Sequence, residues 1–390
     1  MNKTKKQEQT RREFLRNSAL VGAGVVFTTQ PVNIFAETKG NKMSNTVKTK
    51  GYAAFDESGE IRPWEFERRP VGDDDILIEI KAASICHSDI HQEKGHWGKQ
   101  QYPQVPGHEI AGVVTQVGKN VRKFKVGDRA GVGCMVNGCT TCGDEEQYLP
   151  DTKFTYGYPE EKEPTGITQG GYSTHLVVRD HFAVHLPDNV SFEKAAPLLC
   201  AGITTYSPLV KADIKKGDKV GVAGIGGLGH LAVKIAVSKG AEVYAFTTTA
   251  DKVDDIKGFG AKEVIVVDDE LKSLQAYGGQ LDYMISTIPY QFNVAAYANV
   301  VKPYGYFTMV GMPIGFELTL SNIGLAANRV NFNASLIGGM KETQEMVDYC
   351  AKNDVLPEIQ MIKAQEITQA WKNVENKKAR YRYVIDTATI

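Results

Sequence analysis

The pattern of hydrophobic and polar positions changes at about residue 200. Before that point, short apolar runs are separated by Gly and Pro, for example at 76–80, 110–114 and 117–118. The segment 124–129 predicts a turn that leads into a further strand. Apolar runs of this length, bounded by turn residues, are typical of strands. Residues 47–199 are therefore predicted to form an irregular, β-rich domain.

After Cys200, strand-like runs alternate with helix-like segments. Strands are predicted at 220–223, 242–246, 263–267, 283–285 and 306–310. Between them, helical periodicity occurs at 228–238 and 293–301. Strands and helices that alternate at this spacing are typical of a parallel sheet with helices on both faces. The second domain is therefore predicted to be α/β.

The tail of the chain has its own pattern. From about residue 338 it carries one predicted helix at 343–352 and then a strand at 381–385. We expect this tail to return to the first domain. The predicted domains are accordingly 47–199 together with 338–390, and 200–337.

The first 36 residues differ from the rest of the chain. Lys3, Lys5 and Lys6 precede the sequence TRREFLR at 10–16, and residues 17–36 contain no charged side chain. A basic start followed by a short, modestly apolar run is typical of a signal peptide, and TRREFLR resembles the twin-arginine export motif. The alternative is an amphipathic helix with a chance Arg-Arg pair.

Residues 1–36 are therefore predicted to be a twin-arginine signal peptide, and residues 37–46 a linker. We expect a periplasmic or otherwise exported protein whose partner during export is the twin-arginine machinery. The apolar run is shorter than the about 20 residues of a membrane span, so no stable membrane insertion of the mature chain is expected. The cleavage site stays open, as does a cytoplasmic pool that begins near Met43.

Composition limits the class of function. The 390 residues carry 45 Lys and Arg against 46 Asp and Glu, a formal net charge of −1. A nucleic-acid-binding surface would need a basic excess, so nucleic acid is not expected as a partner. The six Cys are too few and too dispersed for a disulfide scaffold. With 42% hydrophobic residues the chain is expected to be globular, with two domains.

A glycine-rich turn follows the first strand of the α/β domain and opens a helix. The positions predicted to contact a dinucleotide there are Gly224, Gly226, Gly227, Leu228 and Gly229. The first glycine permits the tight turn, the second lets a diphosphate approach the backbone, and the third lets helix and strand pack closely. The alternative is a plain glycine turn, which the surrounding strand–helix–strand pattern disfavours.

The end of the next strand indicates which dinucleotide binds. A site for NAD has an acidic residue at this strand tip to hold the ribose 2′-hydroxyl. Here Thr247 and Thr248 stand at the tip, followed by Lys252, while Asp251 lies beyond it and is interpreted as a helix cap. Hydroxyl groups and a lysine can bind a 2′-phosphate. The sequence therefore predicts NADP(H).

Metal-ligand residues are concentrated between residues 86 and 109. Cys86, His108 and, from further along the chain, Cys200 form a candidate ligand set, because catalytic zinc sites use about three protein ligands and an open position. Taken singly, each is more often a small buried thiol or a satisfied histidine. Their order before a dinucleotide turn favours the metal site.

Together these motifs resemble the medium-chain zinc alcohol dehydrogenases, most closely the cinnamyl-alcohol-dehydrogenase-like branch with its bacterial aldehyde reductases. The resemblance covers residues 48–388. The motifs that carry it are ICHSDIH, YPQVPGHEIAG, VGDRAGVGCMVNGC, GGYSTH, AAPLLCAGITTYSPL, GIGGLGH and YRYVID. It implies a GroES-like β-barrel catalytic domain, interrupted by a Rossmann domain, with the active site in the cleft between them. It also implies a homodimer and reversible reduction of a broad range of aldehydes to primary alcohols.

The resemblance implies a role for each site residue. Cys86, His108 and Cys200 would bind catalytic zinc, with Glu109 as an occasional fourth ligand. Asp89 would orient His108, and Ser88 and His91 would pass a proton through the cofactor ribose to solvent. Thr204 and Arg382 match positions near the cofactor. The alternative for Ser88 is a residue that caps the end of a strand. The alternative for His91 is a solvated loop histidine.

One departure concerns a second, structural zinc. The family usually holds it with four cysteines, whereas this chain has only Cys139 and Cys142 in the corresponding loop, and Leu149 near the fourth position. Two thiolates cannot close a tetrahedral site, so no structural zinc is expected. The two cysteines are then free thiols or a disulfide, and a residual site completed by Asp144 or Glu145 stays open.

Five further histidines are not predicted to bind the metal. His87 is expected to border the cofactor phosphates or the substrate entrance, and His96 to lie in a surface loop. His175, His181 and His185 lack ligand spacing.

The rival functions are a polyol or formaldehyde dehydrogenase of the same superfamily, and an exported zinc- or NADP-binding protein without catalysis.

Overall fold

The computed structural model describes residues 46–390, so the predicted signal peptide and all of the predicted linker except Thr46 lie outside the described residues. The strands are β1 Val47–Ala54, β2 Ile61–Arg68, β3 Asp75–Ser84, β4 Ile110–Val117, β5 Arg129–Val132, β6 Met135–Asn137, β7 Lys153–Phe154, β8 His175–Arg179, β9 Val184–His185, β10 Lys219–Ala223, β11 Glu242–Thr247, β12 Glu263–Val266, β13 Leu281–Ser286, β14 Val301–Met309, β15 Asn331–Ala334, β16 Ile359–Lys363 and β17 Arg382–Asp386.

The α-helices are α1 His87–Glu93, α2 Phe192–Ala195, α3 Ala201–Lys211, α4 Gly229–Ser238, α5 Val253–Gly258, α6 Val294–Ala298, α7 Asn322–Ala326, α8 Met340–Lys352 and α9 Ile367–Glu375. Within residues 46–390, none of them combines the length and apolar character that a bilayer-spanning helix needs. Short 3-10 turns lie between several of these elements.

The first sheet has seven strands and confirms the predicted β-rich domain. Its order is β16-β17-β3-β4-β5-β9, and β8 pairs with β3. All of its pairings are antiparallel except the one between β16 and β17. Because β16 and β17 come from the end of the chain, the tail returns to this sheet as predicted. Ile76, Ile78 and Ile80 of β3 are buried in its core, which explains the alternation along that strand.

The second sheet has six parallel strands in the order β12-β11-β10-β13-β14-β15. The order reverses direction at β10, where the chain crosses from one side of the sheet to the other. In such sheets the crevice at the carboxyl ends of the strands beside this point is where ligands bind. The glycine-rich turn follows β10 directly. The predicted α/β fold is therefore confirmed, while the boundaries 47–199, 200–337 and 338–390 stay a prediction.

Two predictions about helices were wrong. The tail contains two α-helices rather than one, because α9 (Ile367–Glu375) was missed. Its apolar residues Ile367, Ala370, Trp371 and Val374 have the i, i+3, i+4, i+7 spacing of an amphipathic helix, so the signal was present in the sequence and was overlooked. The predicted helix at 293–301 ends at Ala298. Val301 instead begins β14, where it pairs with Leu281 in the sheet.

Candidate active site

Four buried side chains from three segments of the chain meet at one point. They are Cys86, His108, Glu109 and Cys200, whose ligand atoms all lie within 4.8 Å of one another. Cys86 lies between β3 and α1, His108 and Glu109 immediately precede β4, and Cys200 immediately precedes α3. Two sulfurs, an imidazole nitrogen and a carboxylate form a donor set that suits zinc. The structure thus brings together all of the residues that the sequence predicted as ligands.

Asp89 lies directly behind this cluster and is completely buried. Its Oδ1 is 2.9 Å from His108 Nδ1, which leaves Nε2 of that ring as the atom available to a metal. Tyr156 donates a hydrogen bond to Asp89 Oδ1 at 2.7 Å, and Tyr172 donates one to Oδ2 at 2.8 Å. The backbone N–H of Cys86 also donates to Oδ2, at 2.9 Å. Asp89 therefore ties the orientation of His108 to the backbone of a second ligand, as second-sphere carboxylates in metal sites do.

Tyr156 and Tyr172 were missed in the sequence. Burial, together with the negative charge of Asp89, raises the pKa of both phenols well above its usual value, so both stay protonated as donors. Tyr172 stands within the motif GGYSTH, which carried part of the family resemblance, but neither tyrosine lies at a ligand spacing. Only the fold brings them to Asp89.

Cys134 is a third thiol beside the cluster, and it too was missed. A hydrogen bond with Cys200 lowers the pKa of Cys134. The backbone approaches closely here, because a Cβ on Gly133 would clash with the carbonyl oxygen of Leu199. This glycine lets the loop after β5 reach the residue that precedes Cys200. The motif containing Cys134 was noted only for the family resemblance.

Glu109 forms a buried ion pair with Arg382, which donates from Nη2 to Glu109 Oε1. Both side chains are almost inaccessible, and Glu109 Oε2 and Arg382 Nε lack a partner among residues 46–390. Arg382 also packs on the glycine-rich turn, because a Cβ on Gly227 would clash with its side chain. Arg382 therefore connects the metal-ligand cluster to the predicted cofactor turn.

The glycine-rich turn has the backbone geometry that its sequence predicts. Gly224 has φ +84°, which a side chain would disfavour. A Cβ on Gly226 would meet open space, whereas one on Gly229 would clash with the backbone of Gly224. Thus Gly224 makes the tight turn, Gly226 leaves room for a ligand, and Gly229 allows close packing of α4. Its geometry suits a diphosphate at the start of α4.

A cavity of about 600 Å³ extends from this turn to Cys86, one of the four residues of the metal-ligand cluster. The predicted cofactor residues that line it are Gly224, Gly226, Gly227, Leu228, Thr247, Thr248, Lys252 and Arg382. From the catalytic side it is lined by Cys86, Ser88 and His91. Thr204 is not among the lining residues; it lies one helical turn after Cys200, and its buried hydroxyl has no partner in the described part of the chain.

Lys252 is held at the base of the cavity. Its Nζ donates to the carbonyl oxygen of Ile225 at 2.9 Å, and burial, reinforced by the positive charge of Arg380, lowers its pKa to about 8. The side chain is thus fixed beneath the glycine-rich turn and mostly charged at neutral pH. With the exposed Thr248 at the strand tip, it forms a pair of groups suited to an anionic substituent.

The predicted proton-transfer residues differ in exposure. Ser88 is half-buried, and Cys86 Sγ lies 3.6 Å from its Oγ. His91 is only 4% exposed, whereas the sequence predicted that it would be in direct contact with solvent. Its Nδ1 is 2.8 Å from Nδ1 of His96, and its Nε2 has no partner among residues 46–390. Burial, with the charges of His87 and His96, lowers the pKa of His91 to about 4.

The other histidines named in the sequence analysis divide into two groups. His87 lines the cavity, as expected, and stacks on His91 with ring centroids 4.6 Å apart. His96 is half-buried rather than a free surface residue. His175, His181 and His185 lie outside the metal-ligand cluster. His181 instead lies 2.7 Å from the buried carboxylate of Glu146.

The loop with the incomplete cysteine set is closed by a disulfide between Cys139 and Cys142, one of the two states considered from the sequence. Asp144 pairs with Lys341 at 3.2 Å, and Glu145 pairs with Lys211 at 3.1 Å. Both acids are therefore engaged with lysines rather than with the two sulfurs. The expected absence of structural zinc stays a prediction.

Family models match both domains. Residues 72–188 match the alcohol dehydrogenase GroES-like domain, and residues 227–352 match the zinc-binding dehydrogenase domain. A probable mannitol dehydrogenase of Medicago sativa is 43% identical over 88% of this chain and 96% of its own length. NADP-dependent alcohol dehydrogenase C 1 of Mycolicibacterium smegmatis is 41% identical over 87% of this chain and 98% of its own length.

Solved structures match over the same part of the chain. The protein CAD from Helicobacter pylori, determined in complex with NADP(H), is 42% identical with a TM-score of 0.83, over 88% of this chain and 99% of that one. A cinnamyl alcohol dehydrogenase from Sorghum bicolor is 36% identical with a TM-score of 0.84, over 88% and 98%. With both domains matched and these identities sustained across nearly all of the described residues, the chain belongs to the zinc-type medium-chain alcohol dehydrogenase family.

Proposed function

We propose that the protein is a zinc-dependent oxidoreductase that transfers hydride between NADP(H) and an aldehyde/primary alcohol pair. One observation carries the proposal: Cys86, whose ligand atom lies within 4.8 Å of those of His108, Glu109 and Cys200, lines the same cavity as the glycine-rich turn. A protein that only stored zinc or dinucleotide would not need both at one cavity. The names of relatives, among them an NADP-dependent alcohol dehydrogenase, support the same activity.

Cys86, His108 and Cys200 would hold the zinc, and Glu109 is the fourth group within reach. Zinc bound there acts as a Lewis acid on the carbonyl oxygen, and the nicotinamide supplies the hydride. The protein contributes orientation: Asp89 fixes the His108 ring, and Arg382 holds Glu109 by its Oε1. Because both supporting groups are buried, the ligands are preorganised.

Proton delivery would use Ser88 and His91, which line the cavity. In aldehyde reduction the alcohol oxygen gains one proton, which Ser88 Oγ would donate, and His91 would supply the proton that restores the Ser88 hydroxyl. Since His91 is buried and bonded to His96, the proton reaches it by way of His96. The outer end of this proton path is therefore His96.

NADP(H) rather than NAD(H) is proposed from the strand tip at the end of β11. Thr247, Thr248 and Lys252 line the cavity there, and the tip carries no acidic side chain. The hydroxyls and the lysine could bind a 2′-phosphate, and the relative from Helicobacter pylori was solved with NADP(H). The substrate range is proposed to be broad and to include aromatic and medium-chain aldehydes.

A polyol is the second candidate substrate. Two relatives that are 43% and 41% identical carry the name probable mannitol dehydrogenase. The catalytic arrangement proposed above would serve this reaction equally, since only the carbonyl or alcohol changes. Oxidation of mannitol with NADP⁺ or NAD⁺, assayed beside aldehyde reduction, distinguishes the two.

A homodimer is proposed as the assembly. Strand β15 ends the six-stranded sheet and has no neighbour on its outer side among residues 46–390. Close to it in the chain, Ile314, Phe316 and Ile323 are 55%, 57% and 77% exposed. A second copy that pairs at this edge would cover these apolar side chains. Light scattering of the wild type and of Ile323→Lys tests this proposal. The wild type should be a dimer and the variant a monomer. If the variant is also a dimer, the interface lies elsewhere.

Export by the twin-arginine route is proposed from the sequence TRREFLR. Replacement of Arg11 and Arg12 by Lys should retain the protein in the cytoplasm, where the wild type should be depleted. Equal distribution of both forms would contradict export. N-terminal sequencing of each cell fraction would also detect a chain that starts near Met43.

The activity is tested by measuring zinc per chain and NADPH oxidation with a panel of aldehydes in one preparation. The expected result is one zinc per chain and activity with several aldehydes. Cys86→Ala should lose both, whereas Cys350→Ala, which changes a buried cysteine outside the cluster, should lose neither. Wild-type protein without zinc and without turnover of any aldehyde or polyol would overturn the proposal.

A further inference from the structure

Lys377 occupies an unusual position at the end of helix α9. Its φ is +59°, in the left-handed region that disfavours a residue with a Cβ. The helix ends in hydrogen bonds from the N–H of Lys377 to Val374 O at 3.0 Å and from the N–H of Lys378 to Asn373 O at 2.8 Å. Glycine is the usual residue at such a helix end. A glycine at this position could therefore replace Lys377 without backbone strain.

The side chain of Lys377 lies at the rim of the cavity. It is one of the lining residues, together with Gly226 and Lys252. Its Nζ lies 5.6 Å from the centroid of the Tyr290 ring, and that ring contacts His87 edge-on at 5.8 Å. Lys377 therefore reaches from the tail, which belongs to the first sheet, to the loop after β13 of the second sheet. Both walls of the cleft meet at this contact.

The charge of Lys377 is free to meet a ligand. Among residues 46–390 no carboxylate lies within 4.0 Å of its Nζ. The two neighbouring arginines differ, since Arg380 pairs with Asp251 at 2.7 Å and Arg382 pairs with Glu109. Lys252 is bound to the carbonyl of Ile225. Lys377 is thus an unpaired cation of this cavity wall that can move onto an anion.

The position also indicates which anion. One end of the cavity, at Thr248 and the residues after β11, would hold a 2′-phosphate. The other end is near Cys86, where Tyr290 and His87 lie. Between them, the glycine-rich turn and the start of α4 suit the diphosphate. Lys377 lies over Tyr290 at the catalytic end, and its positive charge also acts on Lys252 at the other end. It is therefore placed between the two ends, where the diphosphate would lie.

We propose that Lys377 is a further cofactor-binding residue, which holds the diphosphate of the dinucleotide from the opposite wall of the cleft. The inference rests on the proposed function, because it requires that a dinucleotide bind in this cavity. A lysine acts on a phosphate as a mobile point charge. Its contribution should therefore weaken as salt is added.

The test is equilibrium binding of NADPH and of ADP-ribose, which has the diphosphate but no 2′-phosphate, measured by calorimetry at low and high salt. Lys377→Met should weaken both ligands by about tenfold at low salt. Lys377→Arg should bind both as the wild type does. Lys378→Met is the matched control, because Lys378 is the adjacent exposed lysine and does not line the cavity; it should leave both affinities unchanged.

Lys377→Gly separates the side chain from the backbone. Glycine accepts the left-handed conformation, so this variant should fold at least as well as the wild type and yet show the same loss of affinity. Unchanged affinity in Lys377→Met and Lys377→Gly would overturn the proposal, as would a loss confined to NADPH. A wild type that binds neither ligand would instead overturn the proposed function.

Discussion

The Nδ1 atoms of His91 and His96 lie 2.8 Å apart, and His91 is buried while His96 is half-buried. A hydrogen bond between two identical nitrogens requires that one carries the proton and the other accepts it. The pair can therefore pass a proton inward without a change in the position of either ring. In the proposed mechanism this pairing takes the place of the direct route from His91 to solvent that the sequence suggested.

Replacement of His96 by Ala should slow aldehyde reduction by about tenfold to a hundredfold, because His91 loses the group that resupplies its proton. Steady-state kcat at neutral pH is the measurement, and added imidazole should restore part of the rate. His185→Ala, which changes a histidine outside the cavity, is the control. An unchanged kcat, or a loss that imidazole does not relieve, would contradict the role.

Asp89→Asn should weaken zinc binding by about tenfold to a hundredfold, because Asp89 holds His108 Nδ1 at 2.9 Å. The amide keeps the shape of the carboxylate but removes the charge that accepts from His108 and from two tyrosines. Chelator competition measures the change in affinity. Asp128→Asn, at an exposed turn that pairs with Lys125, provides the control. Equal zinc affinity in all three proteins would exclude the orienting role.

Thr248→Asp should shift cofactor preference towards NADH. Thr248 is exposed at the tip of the strand and lines the cavity, so an acid there would repel a 2′-phosphate and could accept a hydrogen bond from a 2′-hydroxyl. We expect the ratio of kcat/KM for NADPH to that for NADH to fall by about tenfold or more. Thr248→Asn, of similar size without the charge, should change it less. A constant ratio would place the 2′-phosphate elsewhere.

Cys139 and Cys142 should be dispensable for zinc. Because they are joined in a disulfide, the double substitution to Ser should leave one zinc per chain. Elemental analysis of the wild type and the double variant measures this directly. A wild type with two zincs, reduced to one in the variant, would mean that a structural site exists in this loop after all.

His230 should make stability depend on pH. Its Nδ1 lies 3.2 Å from Gly226 O, and the N–H of Glu358 donates to its Nε2 at 3.2 Å. The ring is neutral, and burial lowers its pKa to about 3. The unfolded chain binds a proton near pH 6.5, but the folded chain does not. The free energy of unfolding should therefore fall as the pH falls from about 6.5 towards 3.

Urea unfolding of the wild type and of His230→Gln at several pH values tests this. The variant should lose less stability on acidification, by up to about 1.4 kcal/mol per pH unit. His185→Gln, at an exposed histidine, should behave as the wild type. Parallel pH dependence in all three proteins would show that His230 titrates normally.

The sequence was most informative where its signals are local. Strand runs such as 110–114 and the helix at 228–238 correspond closely to β4 and α4, because alternation and helical periodicity report which face of each element is buried. The glycines of 224–229 were also informative, since each has a steric reason that depends on its immediate neighbours. Helix α9 was overlooked, although Ile367, Ala370, Trp371 and Val374 follow helical spacing over two turns.

The ligand residues were identifiable as types, but their meeting was inferred only from the family resemblance. Spacing alone did not join Cys86 to Cys200, which lies more than a hundred residues later. The supporting contacts carried no local signal at all. Tyr172, for instance, reaches Asp89 across 83 residues, and no periodicity reports such a contact.

The amino-acid sequence by itself determined the two kinds of domain, the dinucleotide turn and the identity of the metal-ligand side chains. These depend on residue type and on neighbours within a few positions. Only the tertiary structure decided how the groups act together: Arg382 meets Glu109 across 273 residues, and Lys377 reaches Tyr290 across the cleft. The physical reason is that ion pairs and hydrogen bonds depend on distance in space, which the packing of the two sheets sets.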